Sequence, residues 1–196
     1  DVSHSWMVPN SKALHPFEGE TLPADDLQNG YTWCKAPRLD GKPVEVGALS
    51  RQLINKHPLI KNLVKHSGGN VQSRVIARLL EVCLLLIQME KWIEQILPSE
   101  SFCTTDHKYS DGEGIGLVEA ARGSLGHWIK VKNGLIENYQ IIAPTTWNFS
   151  PRDKDGVEGP LEKALINAPV RKGETEPVSV QHIVRSFDPC MVCTVH

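Results

Sequence analysis

NVQSRVIARLLEVCLLLIQMEKWIEQIL, residues 70–97, contains neither Gly nor Pro, and its reading decides the fold class. Val75, Leu79, Val82, Leu86 and Met89 recur at spacings of three and four, and Ile76, Leu80, Cys83 and Ile87 form the adjoining row. That period belongs to an α-helix. The combined stripe is broad, which predicts a long central helix covered on more than one side, with Cys83 buried in it. Gly68-Gly69 precedes the segment and Pro98 ends it, because a proline can neither donate to the helical ladder nor fit its bend.

Upstream, residues 46–65 also have a helical pattern, interrupted at Pro58. Before them come Pro9-Asn10, His15-Pro16, Asn29-Gly30 and Asp40-Gly41, all turn signals, among few apolar residues. Such a stretch needs a surface to lie on. Downstream, HWIKVK (127–132) and LIENYQII (135–142) flank Asn133-Gly134 and read as a β-hairpin. The Asn-Gly pair tolerates the positive φ that a type I′ turn requires. A short helix is predicted at 160–166 and a last one at 179–187, which delivers Cys190 and Cys193. The fold class is α+β, predominantly helical, with a long central helix and a small β-hairpin region.

Composition narrows the function classes. The chain has 196 residues, 40% apolar and 22% charged, with a formal net charge of −2. A charge this close to zero makes no electrostatic case for nucleic acid or for an anionic membrane. The longest apolar run, 82–87, falls far short of the roughly 20 residues that span a bilayer. No secretory or transit pattern stands at the start. The first residue is Asp1 rather than Met, so upstream sequence is expected. Five cysteines, three of them scattered, do not make a disulfide scaffold in a chain of this size.

The chemistry is concentrated at the end: Asp188-Pro-Cys190-Met-Val-Cys193-Thr-Val-His196. Two cysteines separated by two residues can chelate one metal, because the turn between them brings both sulfurs to one side. Alone, CxxC serves zinc half-sites, dithiol redox centres and iron–sulfur ligation alike. A thioredoxin-like dithiol belongs at the start of a helix, where the dipole lowers the thiol pKa, whereas this pair follows a predicted helix. A closed zinc site needs two more ligands, typically also close together, and Cys34, Cys83 and Cys103 are widely scattered. His196 adds an imidazole beside the pair. Pro189 lacks an N–H, so Asp188 is free to turn its carboxylate toward a buried guanidinium.

DPCxxCxxH resembles the mature C-terminus of the large subunit of nickel–iron hydrogenases, where a maturation protease cuts after the histidine. EAARGSLGHW (119–128) resembles that family's EAPRGxLGHW block, and PTTWN (144–148) its PSTWN block. The resemblance extends over residues 1–196, including His4-Ser5-Trp6, and implies the C-terminal portion of that large-subunit fold. It implies hydrogenase activity: reversible heterolytic cleavage of H2 at a nickel–iron centre whose iron carries carbon monoxide and cyanide.

Roles follow from the resemblance, residue by residue. Cys190 would be a terminal thiolate on nickel (selenocysteine in some relatives), and Cys193 would bridge nickel and iron. Arg122 would hang over the open side of the metal pair as an electrostatic organiser, with the Cys190 sulfur as first proton acceptor. Asp188 would hold Arg122 by a charge-assisted pair. Thr145 would donate its hydroxyl to one cyanide, and the backbone at Ala121 and Arg122 would serve the other. Ala121 departs from the family's usual proline there. His196, with the main-chain oxygen of Ile141, would ligate a magnesium or ferrous ion. Judged without the resemblance, Arg122 reads as a structural ion-pair partner, Thr145 as a turn residue, and His127 and the tryptophans as packing.

The family's nickel site takes four thiolates from two CxxC pairs, and the N-terminal pair, in an RxCGxC context, is absent here. The resemblance therefore implies a large subunit that is split or cut, with a second chain carrying the N-terminal half packed against the long helix. It also implies a small subunit holding iron–sulfur clusters, since no cysteine pattern for clusters occurs in this chain. Location stays open between cytoplasm and periplasm, with any membrane association made through partners. The alternative reading is a zinc- or nickel-binding structural or storage domain built on CxxCxxH. A complex-I-like subunit without metals is disfavoured by retention of both cysteines and the histidine.

Overall fold

The computed structural model describes residues 2–5, 12–20, 31–32, 34–103 and 110–194. β1 (Val2–Ser5) and β2 (Ala36–Leu39) pair antiparallel. Helices α1 (Ala48–Ile54), α2 (Pro58–Ser67) and α3 (Val71–Glu94) follow. β3 (Gly112–Ala120), β4 (Gly123–Lys132) and β5 (Leu135–Ile142) make a three-stranded antiparallel sheet in that order. α4 (Pro144–Asn148), α5 (Pro160–Leu165), α6 (Val178–Ser186) and α7 (Met191–Thr194) complete the chain. The class is α+β, as expected.

Local chemistry accounts for the boundaries. Pro58 does not break a helix but opens one: it stands at the first position of α2, where its missing N–H costs nothing. Lys56, with φ 59°, makes the turn that separates α1 from α2. Asn70 caps α3 reciprocally, its side chain accepting from the Ser73 amide at 3.0 Å while the Ser73 hydroxyl accepts from the Asn70 amide at 2.8 Å. The Asn133-Gly134 turn has φ values of 53° and 72°, the pair of positive angles anticipated for the β4–β5 hairpin.

The long helix corrects the expectation of burial on several sides. Only Ser73, Arg74 and Ala77 of α3 are buried, all in its first two turns. From residue 82 to its end, every residue except Gln88 is exposed, and Cys83 with them. α1, α2 and α6 pack against α3. Periodicity identifies which residues call for cover but not which chain supplies it.

Two small cores remain. One joins Ala48, Leu49, Ile60 and Ala77; the other joins Trp128, Ile142 and Trp147, with Val44 and Val46 packed against it. The segment 44–49 therefore touches both, and it becomes the spine of the site. β3 was not anticipated, because Gly112, Gly114 and Gly116 lower its strand propensity. β2 was also unexpected in the turn-rich first quarter. It is held by buried Arg38, which pairs with Asp153 at 2.9 Å and donates to the carbonyls of Pro151 and Val157 at 3.3 and 2.8 Å.

Candidate metal centre

The site is assembled at the end of α6. Arg78 donates to the Ser186 carbonyl at 2.6 Å. Arg74 donates to the Ser186 hydroxyl at 3.2 Å and lies over the Phe187 ring at 3.7 Å. Cations at a helix C-terminus offset its negative dipole end. Glu45 in turn holds Arg74 through two hydrogen bonds of 2.8 and 2.9 Å. Asp188 then leaves the helix at φ 54° while its amide donates to the Arg185 carbonyl at 3.0 Å. Asp is among the few residues that adopt this left-handed geometry readily, so it can redirect the chain. Pro189 and the single turn of α7 follow.

Within that turn the Cys193 amide donates to the Cys190 carbonyl at 3.1 Å. The Cys190 amide donates to the Thr145 hydroxyl oxygen, also at 3.1 Å. Thr145 is buried in the first turn of α4, so the PTTWN block meets the cysteine block directly. α4 is itself anchored by buried Asn148. Its amide donates to the Val46 carbonyl at 2.9 Å, and its oxygen accepts from the Val46 amide at 2.9 Å, in the manner of a neighbouring strand.

The two thiols are neighbours in unequal surroundings. The Cys190 thiol is held below its ordinary pKa, chiefly by the Cys193 backbone amide, then by the Cys193 thiol donating to its sulfur, with the Arg122 charge adding to both. The Cys193 thiol is pushed up, first by burial and then by sharing its proton with Cys190, although a hydrogen bond from Thr145 works in the opposite sense. Cys34 lies near enough that its charge pushes Cys193 further up. The shared proton and the Arg122 charge thus set the two thiols apart in opposite directions.

Arg122 approaches from the sheet. Ala120 pairs with Gly123, so Ala121 and Arg122 form the tip of the β3–β4 hairpin. Its nearest anion is Asp188, with Nε to Oδ1 at 3.7 Å. That distance makes an ion pair but not a hydrogen bond. The guanidinium is half exposed, which corrects the expectation that Asp188 turns to a buried one. Three blocks far apart in sequence thus converge: the hairpin tip, α4 and α7.

Other expected residues are not gathered here. Ile141 lies in β5 opposite His127, half exposed. His196 lies outside the described residues, as does Trp6. His127 hydrogen-bonds Tyr139 at 2.6 Å and stacks on it, a packing role as anticipated. Among the described residues, no group of three or more His, Cys, Asp or Glu is placed to hold a metal ion. Two adjacent soft sulfur donors suit nickel, iron or zinc. Sequence reasoning missed Asn148, Arg51 and the Glu45–Arg74 pair.

Comparison with known proteins bears on all of this. The nickel-dependent hydrogenase family profile matches residues 1–196. The chain is 36% identical to the periplasmic NiFeSe hydrogenase large subunit of Desulfomicrobium baculatum, over 100% of this chain and 41% of that protein. It is 35% identical to the uptake hydrogenase large subunit of Rhodobacter capsulatus, over 100% and 39%. Among solved structures it resembles the reduced Ni-Fe-Se hydrogenase of D. vulgaris Hildenborough, with a TM-score of 0.85 and 35% identity, over 100% of this chain and 45% of that one. The chain spans about two fifths of the length of the curated relatives it matches.

Proposed function

Because this chain belongs to the nickel-dependent hydrogenase family, we propose that it forms the C-terminal portion of a hydrogenase large subunit and supplies two of the four thiolates of a nickel–iron centre. The observation that carries this reading is the convergence of Cys190, Cys193, Thr145, Arg122 and Asp188 from three separate sequence blocks.

When bound, the nickel–iron pair, with carbon monoxide and cyanide on iron, supplies the site at which H2 is split heterolytically. The residues of this chain do the rest. Cys190 and Cys193 present their sulfurs as soft donors. The Cys190 sulfur would be the first proton acceptor. Arg122 contributes a fixed positive charge that organises the open side of the site. Asp188 limits where that charge can swing. Thr145 accepts from the Cys190 amide and keeps its own proton free for Cys193 or for cyanide. The backbone at Ala121 and Arg122 would serve the other cyanide, and Cys193 would be the second sulfur ligand to the metal pair. His196 and the Ile141 carbonyl serve a magnesium or ferrous ion.

The remaining two thiolates come from polypeptide outside these 196 residues, as the N-terminal half of the large subunit. A small subunit with iron–sulfur clusters carries the electrons away. No helix among the described residues is long and apolar enough to cross a membrane, and the D. baculatum relative is named as periplasmic. Infrared spectroscopy of the assembled enzyme tests the reading. Bands of metal-bound carbon monoxide and cyanide, with nickel present and iron in excess of it, are expected. Zinc or nickel alone, without those bands, overturns it in favour of a storage or structural site.

A further inference from the structure

The tip that carries Arg122 is an unfavourable hairpin. A two-residue loop normally takes positive φ at one or both central positions, so that its twist matches the strands. Neither Ala121 nor Arg122 has positive φ. The distortion passes to Gly123, whose φ is 137°. A Cβ there would stand 2.6 Å from Val46 Cγ2 and 2.8 Å from the Gly47 nitrogen, so the hairpin backbone is pressed against the 46–47 backbone. A Cβ on Gly47 would in turn meet the Arg122 carbonyl at 3.1 Å.

Arg51 of α1 lies beside this contact. Its Nε and one Nη2 hydrogen bond Glu81 of α3, at 2.9 and 2.6 Å. Its Nη1 donates to Glu119 at 3.0 Å and to the Ala120 carbonyl at 2.9 Å. Its remaining donor reaches the Ala121 carbonyl at 3.1 Å. All five N–H groups of the guanidinium are therefore used. Gln52 braces the assembly by donating to Glu81 at 3.0 Å, and Glu119 also accepts from Ser124 across the hairpin. Two rigid helices thus hold three successive residues that end immediately before Arg122.

We infer that Arg51 is a positioning residue for Arg122: it acts through the carbonyls of Ala120 and Ala121 to hold the hairpin tip, and so aims the Arg122 guanidinium and its backbone at the metal site. The inference rests on the reading of Arg122 given above. Lysine at position 51 would keep the charge but offers three donors on one atom, which cannot span α3 and the hairpin together.

The test uses the fully assembled enzyme carrying Arg51→Lys, with Glu119→Gln as a milder variant that leaves the Arg51–Glu81 pair intact. Amide hydrogen exchange over residues 120–124 is expected to rise about tenfold or more in Arg51→Lys while β5 stays as in wild type. Turnover per nickel should fall about tenfold or more with KM little changed, because the transition state and not the resting complex loses its alignment. The cyanide stretching bands should shift while nickel and iron content holds. Glu119→Gln should show the same changes at smaller amplitude, and it decides the matter if Arg51→Lys fails to assemble. Wild-type exchange at 120–124, or unchanged turnover per nickel, overturns the inference. Faster exchange spread evenly over α1, α3 and the sheet also overturns it, as the mark of general destabilisation. If the wild-type enzyme lacks carbon monoxide and cyanide bands, the hydrogenase reading fails, while the exchange comparison still tests the clamp.

Discussion

At the scale of single residues, Arg122 and Thr145 do different work. Arg122 is half exposed and 3.7 Å from Asp188, so the fold draws little stability from it. Replacing it with lysine should leave nickel and iron in place and lower H2 oxidation by about 100-fold, the usual cost of removing one preorganised electrostatic group. Near-normal turnover in Arg122→Lys would sink its assigned role. Thr145 is buried and accepts the Cys190 amide. Thr145→Val leaves that amide unpaired, which costs about 1–3 kcal/mol, and denaturant titration should show it, with Thr145→Ser restoring most of the loss. The identities of these residues were legible in their blocks. Their mutual contact was not, since Thr145 and Cys190 are joined only by the path of α6.

At the scale of elements, the site depends on how α4 and β2 are tied to the rest. Asn148 stands in for a strand against Val46, and Asn148→Ala should destabilise by about 1–3 kcal/mol, read from a denaturation midpoint. A smaller loss would mean that the 44–49 segment is held elsewhere. β2 hangs on Arg38 and Asp153. Burial alone would raise the Asp153 carboxyl, but hydrogen bonds from the Val157 amide and Arg38 outweigh it and hold the group below its ordinary 3.8. A depressed folded-state pKa gives stability that is present above the unfolded value and lost as pH falls through the folded one. Stability should therefore decline below about pH 3.8 in part through Asp153, and Asp153→Asn should flatten that part of the acid limb. An unchanged acid limb in the variant would remove Asp153 from the account. The β4–β5 hairpin was legible because Asn133-Gly134 leaves little choice of turn. β3 was not, because its glycines hide a strand whose pairing comes entirely from β4.

At the scale of the whole molecule, α3 presents an uncovered apolar stripe that includes Leu79, Leu86 and Ile93, exposed by 62%, 58% and 66%. Exposed stripes of this size mark interaction surfaces. If the N-terminal half of the large subunit covers it, Leu86→Glu and Ile93→Glu should reduce co-purification of that half about tenfold or more, since each burial is worth roughly 1.5–3 kcal/mol. The helix content of the 196-residue chain, followed by circular dichroism, should not change, because neither residue packs within it. Undiminished co-purification would mean that another surface carries the partner.

The sequence by itself determined the helix at α3, the turn of the β4–β5 hairpin and the chemical identity of the thiolate pair. Each is a local consequence of side-chain period, backbone tolerance or donor type. It also marked the blocks around Arg122 and Thr145 as belonging with the cysteines. Only the tertiary structure decided that Thr145 engages the Cys190 amide, that Arg122 sits on a hairpin tip clamped by Arg51, and that most of α3 is bare. Those are matters of which surfaces meet, and a pattern along one chain records the need for a contact without recording its partner.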